Sequence, residues 1–197
     1  MNINFDIIFF GDSLTSGYGV SKENSWVFKL TQYLSCKSIN KGCNGDTTPS
    51  MLTRYYNDVI ANSPSIIFIM CGTNDLLFGR SVNSIISNIE LMIKDAININ
   101  SKIIIGIPPA IIGSLANKLF SPSPFYNYAE KEIIKLKDSL IDLCKKYNLY
   151  YINFYDITLD KEAIYLDGLH LNSLGHDLMY NSALKTFNNI YNKNSQN

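Results

Sequence analysis

Three short runs, residues 7–10, 66–70 and 103–107, constrain the fold of this chain more than any other feature. A strand with one face in water alternates apolar and polar residues. These runs are apolar almost throughout, so both faces of each strand must be covered, as in a parallel sheet buried between layers. Residues 38–39 and 150–152 are weaker strand candidates. Between the runs, apolar residues recur at helical spacing. Trp26, Leu30 and Leu34 mark one helix, and Met51, Leu52 and Tyr55 mark a second behind a Thr48 N-cap and Pro49. Ile85, Ile89, Met92, Ile93 and Ala96 mark a third. Ile133, Leu136, Leu140 and Leu143 lie in a fourth over 128–147, and residues 173–190 form the last. Strand and helix in repeated alternation imply right-handed crossovers, hence a three-layer α/β/α sandwich around a central, mostly parallel five-stranded sheet. The length of 197 residues suits a single domain over 1–190, with the Asn-rich 191–197 as a frayed tail.

Charge excludes some partners. Lys plus Arg and Asp plus Glu both total 17, so no basic field is available for nucleic acid. No apolar stretch approaches the ~20 residues of a membrane span, and Met1 leads into an apolar strand without a basic leader, the pattern of a cytoplasmic protein. Cys36, Cys43, Cys71 and Cys144 show neither C-x-x-C spacing nor clustering with His. They are expected to be buried, reduced thiols, with no metal and no cofactor.

In such a sheet, functional loops gather at the carboxyl ends of the strands. Gly11-Asp12-Ser13 follows the first strand, residues 40–45 the second, and Gly72-Thr73-Asn74-Asp75 the third, so three distant polar loops are expected on one rim. A serine hydroxyl is a poor nucleophile unless a base stands within hydrogen-bond reach, held in the right tautomer by a third group. The chain has two histidines. His170 has Asp167 three residues before it and can act as that base, whereas His176 lacks such a partner and falls inside the last helix, in a packing or solvent-facing role. Acyl transfer also needs N–H donors for a developing oxyanion. Gly45, Asn74 and the N–H of Ser13 can supply them. Singly, each of these residues has an ordinary reading as a turn or surface residue. Asp12, Asp46 and Asp75 lack a convergent His or Glu set, so loop hydrogen bonding accounts for them better than a metal cage. Thr15 stands where an α/β-hydrolase elbow needs glycine, and no Lys follows Gly17-Tyr18-Gly19 as a phosphate loop requires.

Taken together, Gly11-Asp12-Ser13-Leu14, Asn40-x-Gly42-x-x-Gly45, Gly72-Thr73-Asn74-Asp75 and Asp167-Gly168-Leu169-His170 resemble the four motifs of the SGNH hydrolases, also called the GDSL lipase/esterase family. The chain looks most like small bacterial members of the thioesterase/lysophospholipase type. The resemblance implies a flavodoxin-like fold with Ser13 as nucleophile, His170 as base and Asp167 as its orienter. It also implies an oxyanion hole from Ser13, Gly45 and Asn74, and a small-molecule ester or thioester substrate. A carbohydrate O-deacetylase using the same triad is the alternative, and an inactive binding module of the same fold is a third reading. Tyr18, Leu76, Leu77, Phe78 and Phe125 are the candidate pocket residues. Residues 108–125 form either a lid or acyl-binding wall, or a short helix over 113–119 packed on the core.

Overall fold

β1 (Ile7–Gly11), β3 (Ile66–Met70) and β4 (Lys102–Ile107) are so apolar because each sends alternate side chains into two separate cores. Ile8, Phe10, Ile67, Ile69, Ile103 and Ile105 enter one, while Ile7, Phe9, Ile66, Phe68 and Ile104 enter the other. The computed structural model describes residues 5–194. With β2 (Ser38–Gly42) and β5 (Tyr150–Asn153), these strands form a five-stranded sheet in the order β2-β1-β3-β4-β5, every neighbouring pair parallel. The order reverses between β1 and β3, and in open α/β sheets ligands bind beyond the strand ends at such a switch point.

The connecting segments are α1 (Ser13–Ser16), α2 (Trp26–Leu34), α3 (Thr48–Asp58), α4 (Thr73–Leu77), α5 (Val82–Asn98), α6 (Gly113–Leu119), α7 (Pro124–Tyr147), α8 (Phe154–Thr158) and α9 (Ser173–Asn194). Helices α3, α5 and α7 cover the first face, α2 and α9 the second. Trp26 anchors the second core. Its ring lies 5.7 Å from Phe9, 5.1 Å from Phe68 and 5.4 Å from Phe154, and its indole N–H donates to the Leu14 carbonyl at 2.9 Å. The core is thereby tied directly to the turn that carries Ser13.

Boundaries differ from the sequence expectation where a side chain caps a backbone group. β2 extends through Gly42, because Asn40, Lys41 and Gly42 pair with Phe9, Phe10 and Gly11. The N-cap of α3 is Thr47 instead of Thr48, since the Thr47 N–H donates to Ser50 Oγ at 2.8 Å. α7 starts at Pro124 instead of residue 128, with Ser123 Oγ accepting from the Phe125 N–H at 3.2 Å. The turn α8 was not expected. α9 continues to Asn194, into the expected tail, and residues 195–197 lie outside the described residues. Cys71 and Cys144 are buried, but Cys43 is exposed and Cys36 partly so, because both lie in the short links flanking β2. Among the described residues, no helix is long and apolar enough to cross a membrane.

His176 packs inside α9, 1% exposed, and its Nδ1 accepts the Trp26 N–H at 3.2 Å. That N–H is one of the donors left over at the start of α2. Burial, helped by the nearby Lys29 charge, pushes the imidazole down to about 4 from 6.5. The unfolded chain therefore takes up this proton first on acidification. His176 contributes its full stability above pH ~6.5, loses it as pH falls towards 4, and contributes no further change below that. In urea unfolding, the stability gap between wild type and His176→Gln should change by about 3 kcal/mol across this window. A gap independent of pH would contradict the buried neutral ring.

Candidate active site

Ser13 opens α1 directly beyond β1, and two glycines make that position possible. Gly11 and Gly42 face each other across the β1–β2 pair. A Cβ on Gly42 would lie 2.3 Å from the Ser16 nitrogen, and one on Gly11 would lie 2.2 Å from Thr15 Oγ1 and 2.6 Å from the Met70 carbonyl oxygen. Asp12 caps the turn. Its Oδ1 accepts the Leu14 N–H at 2.9 Å, and its carbonyl takes the N–H groups of Thr15 and Ser16. Gly17, at φ 89°, closes the turn in the left-handed conformation. The Asp12 carboxyl is fully buried, and its Oδ2 has no hydrogen-bond partner among the described residues. Burial outweighs the Leu14 N–H and pushes this carboxyl up to about 7.

Ser13 Oγ lies 3.0 Å from His170 Nε2, across 157 residues of sequence, and His170 Nδ1 lies 2.8 Å from Asp167 Oδ2. The other Asp167 oxygen accepts the N–H groups of Leu169 at 2.9 Å and His170 at 2.7 Å. Burial works to raise the Asp167 carboxyl, but the imidazole and these two N–H groups together hold it below the ordinary carboxylate range. A charged Asp167 fixes the proton on Nδ1 and leaves Nε2 free to accept from Ser13. Tyr18 covers the histidine, with ring centroids 4.5 Å apart.

The second and third loops are joined by polar contacts. Asp46 N–H donates to the Cys43 carbonyl, closing a turn in which Gly45 has φ 79°; a Cβ there would meet nothing within 4 Å, so backbone conformation and not packing demands glycine. Asn74 lies in the first turn of α4, and its side-chain amide donates to the Asp46 carbonyl at 2.8 Å. A primary amide has a second N–H to offer. Asp75 accepts from the Thr48 N–H and hydroxyl, both at 2.8 Å, and from Arg80 at 3.3 Å. Ser16 Oγ reaches Asn44 at 2.6 Å, linking the first loop to the second. The three aspartates flagged in the sequence are thus engaged in local hydrogen bonds. Sequence reasoning missed Arg54, which binds Asp46; one signal was available, since the chain has two arginines against fifteen lysines.

Of the pocket candidates, Tyr18 lies against His170 and is half-exposed. Phe78 is exposed, and Phe125 packs beside it over Gly79, where a Cβ would come within 2.5 Å of the Phe125 ring. Leu77 is partly buried against the core. Leu76 corrects the expectation: it has no exposed surface and belongs to the core. Residues two apart on a helix point about 160° apart, so the turn that leaves Asn74 partly exposed carries Leu76 inward. Residues 108–125 contain helix α6, with Ala110, Ile111 and Ala116 buried. This segment braces the histidine loop. The Ile112 N–H donates to the Gly168 carbonyl at 2.9 Å, and the Tyr165 hydroxyl donates to the Ala110 carbonyl at 2.6 Å.

Residues 9–178 match the profile of the GDSL-like Lipase/Acylhydrolase family. An arylesterase of Vibrio mimicus is 34% identical over 92 residues, 44% of this chain and 46% of that protein. The uncharacterized lipoprotein YqeF of Bacillus subtilis is 35% identical over 77 residues, 36% of this chain and 32% of that protein. The chain thus spans less than half the length of these curated relatives. A crystal structure of a member of the lipolytic protein G-D-S-L family from Veillonella parvula superimposes with a TM-score of 0.79 at 25% identity, covering 92% of this chain and 97% of that one.

Gly168 should be the least replaceable residue of the histidine loop. It has φ 85°, and a Cβ would lie 2.4 Å from the Ile112 carbonyl oxygen and 2.9 Å from the Ala116 nitrogen. Gly168→Ala is expected to cost roughly 1–3 kcal/mol in backbone strain alone, read from urea unfolding. Wild-type stability in that variant would contradict the tight packing of α6 on this loop.

Proposed function

This chain belongs to the GDSL-like lipase/acylhydrolase family, and we propose that it is a serine hydrolase of carboxylic esters or thioesters, working through a covalent acyl-enzyme on Ser13. The observation that carries this reading is the unbroken row Ser13 Oγ, His170, Asp167, with steps of 3.0 and 2.8 Å. Ser13 Oγ attacks the substrate carbonyl carbon as His170 Nε2 takes the hydroxyl proton. Asp167 stabilises the imidazolium through Nδ1–H. Negative charge moves to the carbonyl oxygen, where the N–H groups of Ser13 and Gly45 and the free amide N–H of Asn74 receive it. Collapse of this intermediate breaks the bond to the alcohol or thiol, which leaves with the proton from His170. A water molecule then gives a proton to the same imidazole and attacks the acyl carbonyl; the products are a carboxylic acid and free Ser13. Tyr18, Phe78 and Phe125 leave apolar surface beside the rim and favour an apolar acyl or aryl group.

A fluorophosphonate probe tests the nucleophile. It should label the wild type at Ser13 and leave folded Ser13→Ala unlabelled. On a panel of short- and long-chain esters, acyl thioesters and acetylated sugars, Asn74→Ala should lower kcat by roughly 10²–10³ through loss of one oxyanion donor. Turnover at the wild-type rate by folded Ser13→Ala would overturn the assignment. Turnover of the acetylated sugars alone would move the substrate to the O-deacetylase class.

A further inference from the structure

Arg54 makes more polar contacts with this rim than the docking of its helix requires. Its Nε–H donates to Asp46 Oδ2 at 2.7 Å, and one Nη reaches Asp58 Oδ2 at 2.7 Å. The other Nη donates to the Gly11 carbonyl at 3.1 Å and the Lys41 carbonyl at 2.9 Å, and also lies 2.6 Å from Asp46 Oδ2. The guanidinium stacks on Phe10, 4.2 Å from the ring centroid. One planar group therefore joins the ends of β1 and β2, the loop after β2 and helix α3. That helix has other anchors: Met51 and Tyr55 are buried in the core, and Asp58 also pairs with Lys41 at 2.8 Å.

The acceptors that Arg54 holds adjoin the residues carrying the three N–H groups. Gly11 lies two residues before Ser13, Asp46 follows Gly45, and the Asp46 carbonyl accepts the Asn74 amide. We infer that Arg54 is a positioning residue for the oxyanion hole, holding all three donors in register through Gly11, Lys41 and Asp46. This deepens, and rests on, the acyl-transfer reading above. Donors aimed at an oxyanion act through their placement, and slack in that placement weakens the transition state more than the bound ester. Lysine cannot substitute. Its single ammonium on a flexible stem can keep one carboxylate but cannot span two carboxylates and two carbonyls in one plane.

Arg54→Ala and Arg54→Lys, each alone and combined with Asn74→Ala, form the test, using the intact chain and any ester that the wild type turns over. Arg54→Lys should lower kcat by about tenfold and Arg54→Ala by about 10²-fold, with KM within about threefold of wild type. In the Asn74→Ala background the same changes should cost several-fold less than in wild type, because one of the donors that Arg54 positions is already gone and residues acting through one site are not additive. Circular dichroism and thermal unfolding check folding, and if Arg54→Ala fails to fold, Arg54→Lys carries the measurement. A kcat within twofold of wild type, a change confined to KM, or an equal loss in both backgrounds would overturn the inference. A wild type that neither turns over esters nor takes the fluorophosphonate label would overturn the acyl-transfer reading and this inference with it.

Discussion

The site depends first on how closely α1 approaches the end of the sheet. Gly11 and Gly42, paired across β1 and β2, present no Cβ, and the backbone of Ser16 and the Thr15 side chain occupy the space a methyl group would need. With that approach, Ser13 stands at the end of β1 beside β3, where the strand order reverses. Any bulkier pair would lift the turn and carry Ser13 away from His170. The turn is also held from below, since the buried Trp26 donates to the Leu14 carbonyl and packs among Phe9, Phe68 and Phe154. Core packing and the position of Ser13 are therefore coupled through one indole.

His170 reaches Ser13 from the far end of the chain, on a loop that is short but braced. The helix α6 rests on Gly168, Tyr165 bonds the Ala110 carbonyl, and Asp167 takes two backbone N–H groups of its own loop. The segment 108–125 resolves into a buried brace with an exposed outer end, where Leu119, Phe120 and Phe125 face outward. One segment thus holds His170 in place and also borders the rim. Variation at its outer end can alter the surface beside the site while its inner contacts keep the histidine in place.

Much of this was legible in the sequence because the strongest signals are periodic or chemically specific. A strand covered on both faces reads as an unbroken apolar run, which placed the sheet. Three of the four polar motifs fell at strand ends, which placed Ser13 and the loops of Gly45 and Asn74 on one rim. Element ends were less legible, because Thr47, Ser50 and Ser123 decide them through individual hydrogen bonds that carry no period. Leu76 misled because a motif followed by apolar residues reads as a pocket wall until the helical turn of α4 is known. Arg54 escaped because its partners, Gly11, Lys41, Asp46 and Asp58, are scattered over separate elements.

Asp12, Asp46, Asp75 and Asp167 raise the question of which carboxylate can serve His170. Their surroundings sort them. Burial raises Asp12 to about 7, so that it is about half protonated at neutral pH, and its one bonded oxygen is taken by the Leu14 N–H and not by the imidazole. Asp75 is raised by burial as well, and its oxygens are held by Thr48 and Arg80. Asp46 is committed to Arg54 and Ser50. Only Asp167 combines a lowered carboxyl with an oxygen directed at the imidazole, 2.8 Å from Nδ1. Any positive charge on His170 is therefore met directly by Asp167, on the side away from Ser13, with Asp12 interacting with the ring electrostatically without a hydrogen bond to it. The other three carboxylates make their hydrogen bonds within the turns around the rim, so the direct pairing with the imidazole belongs to Asp167.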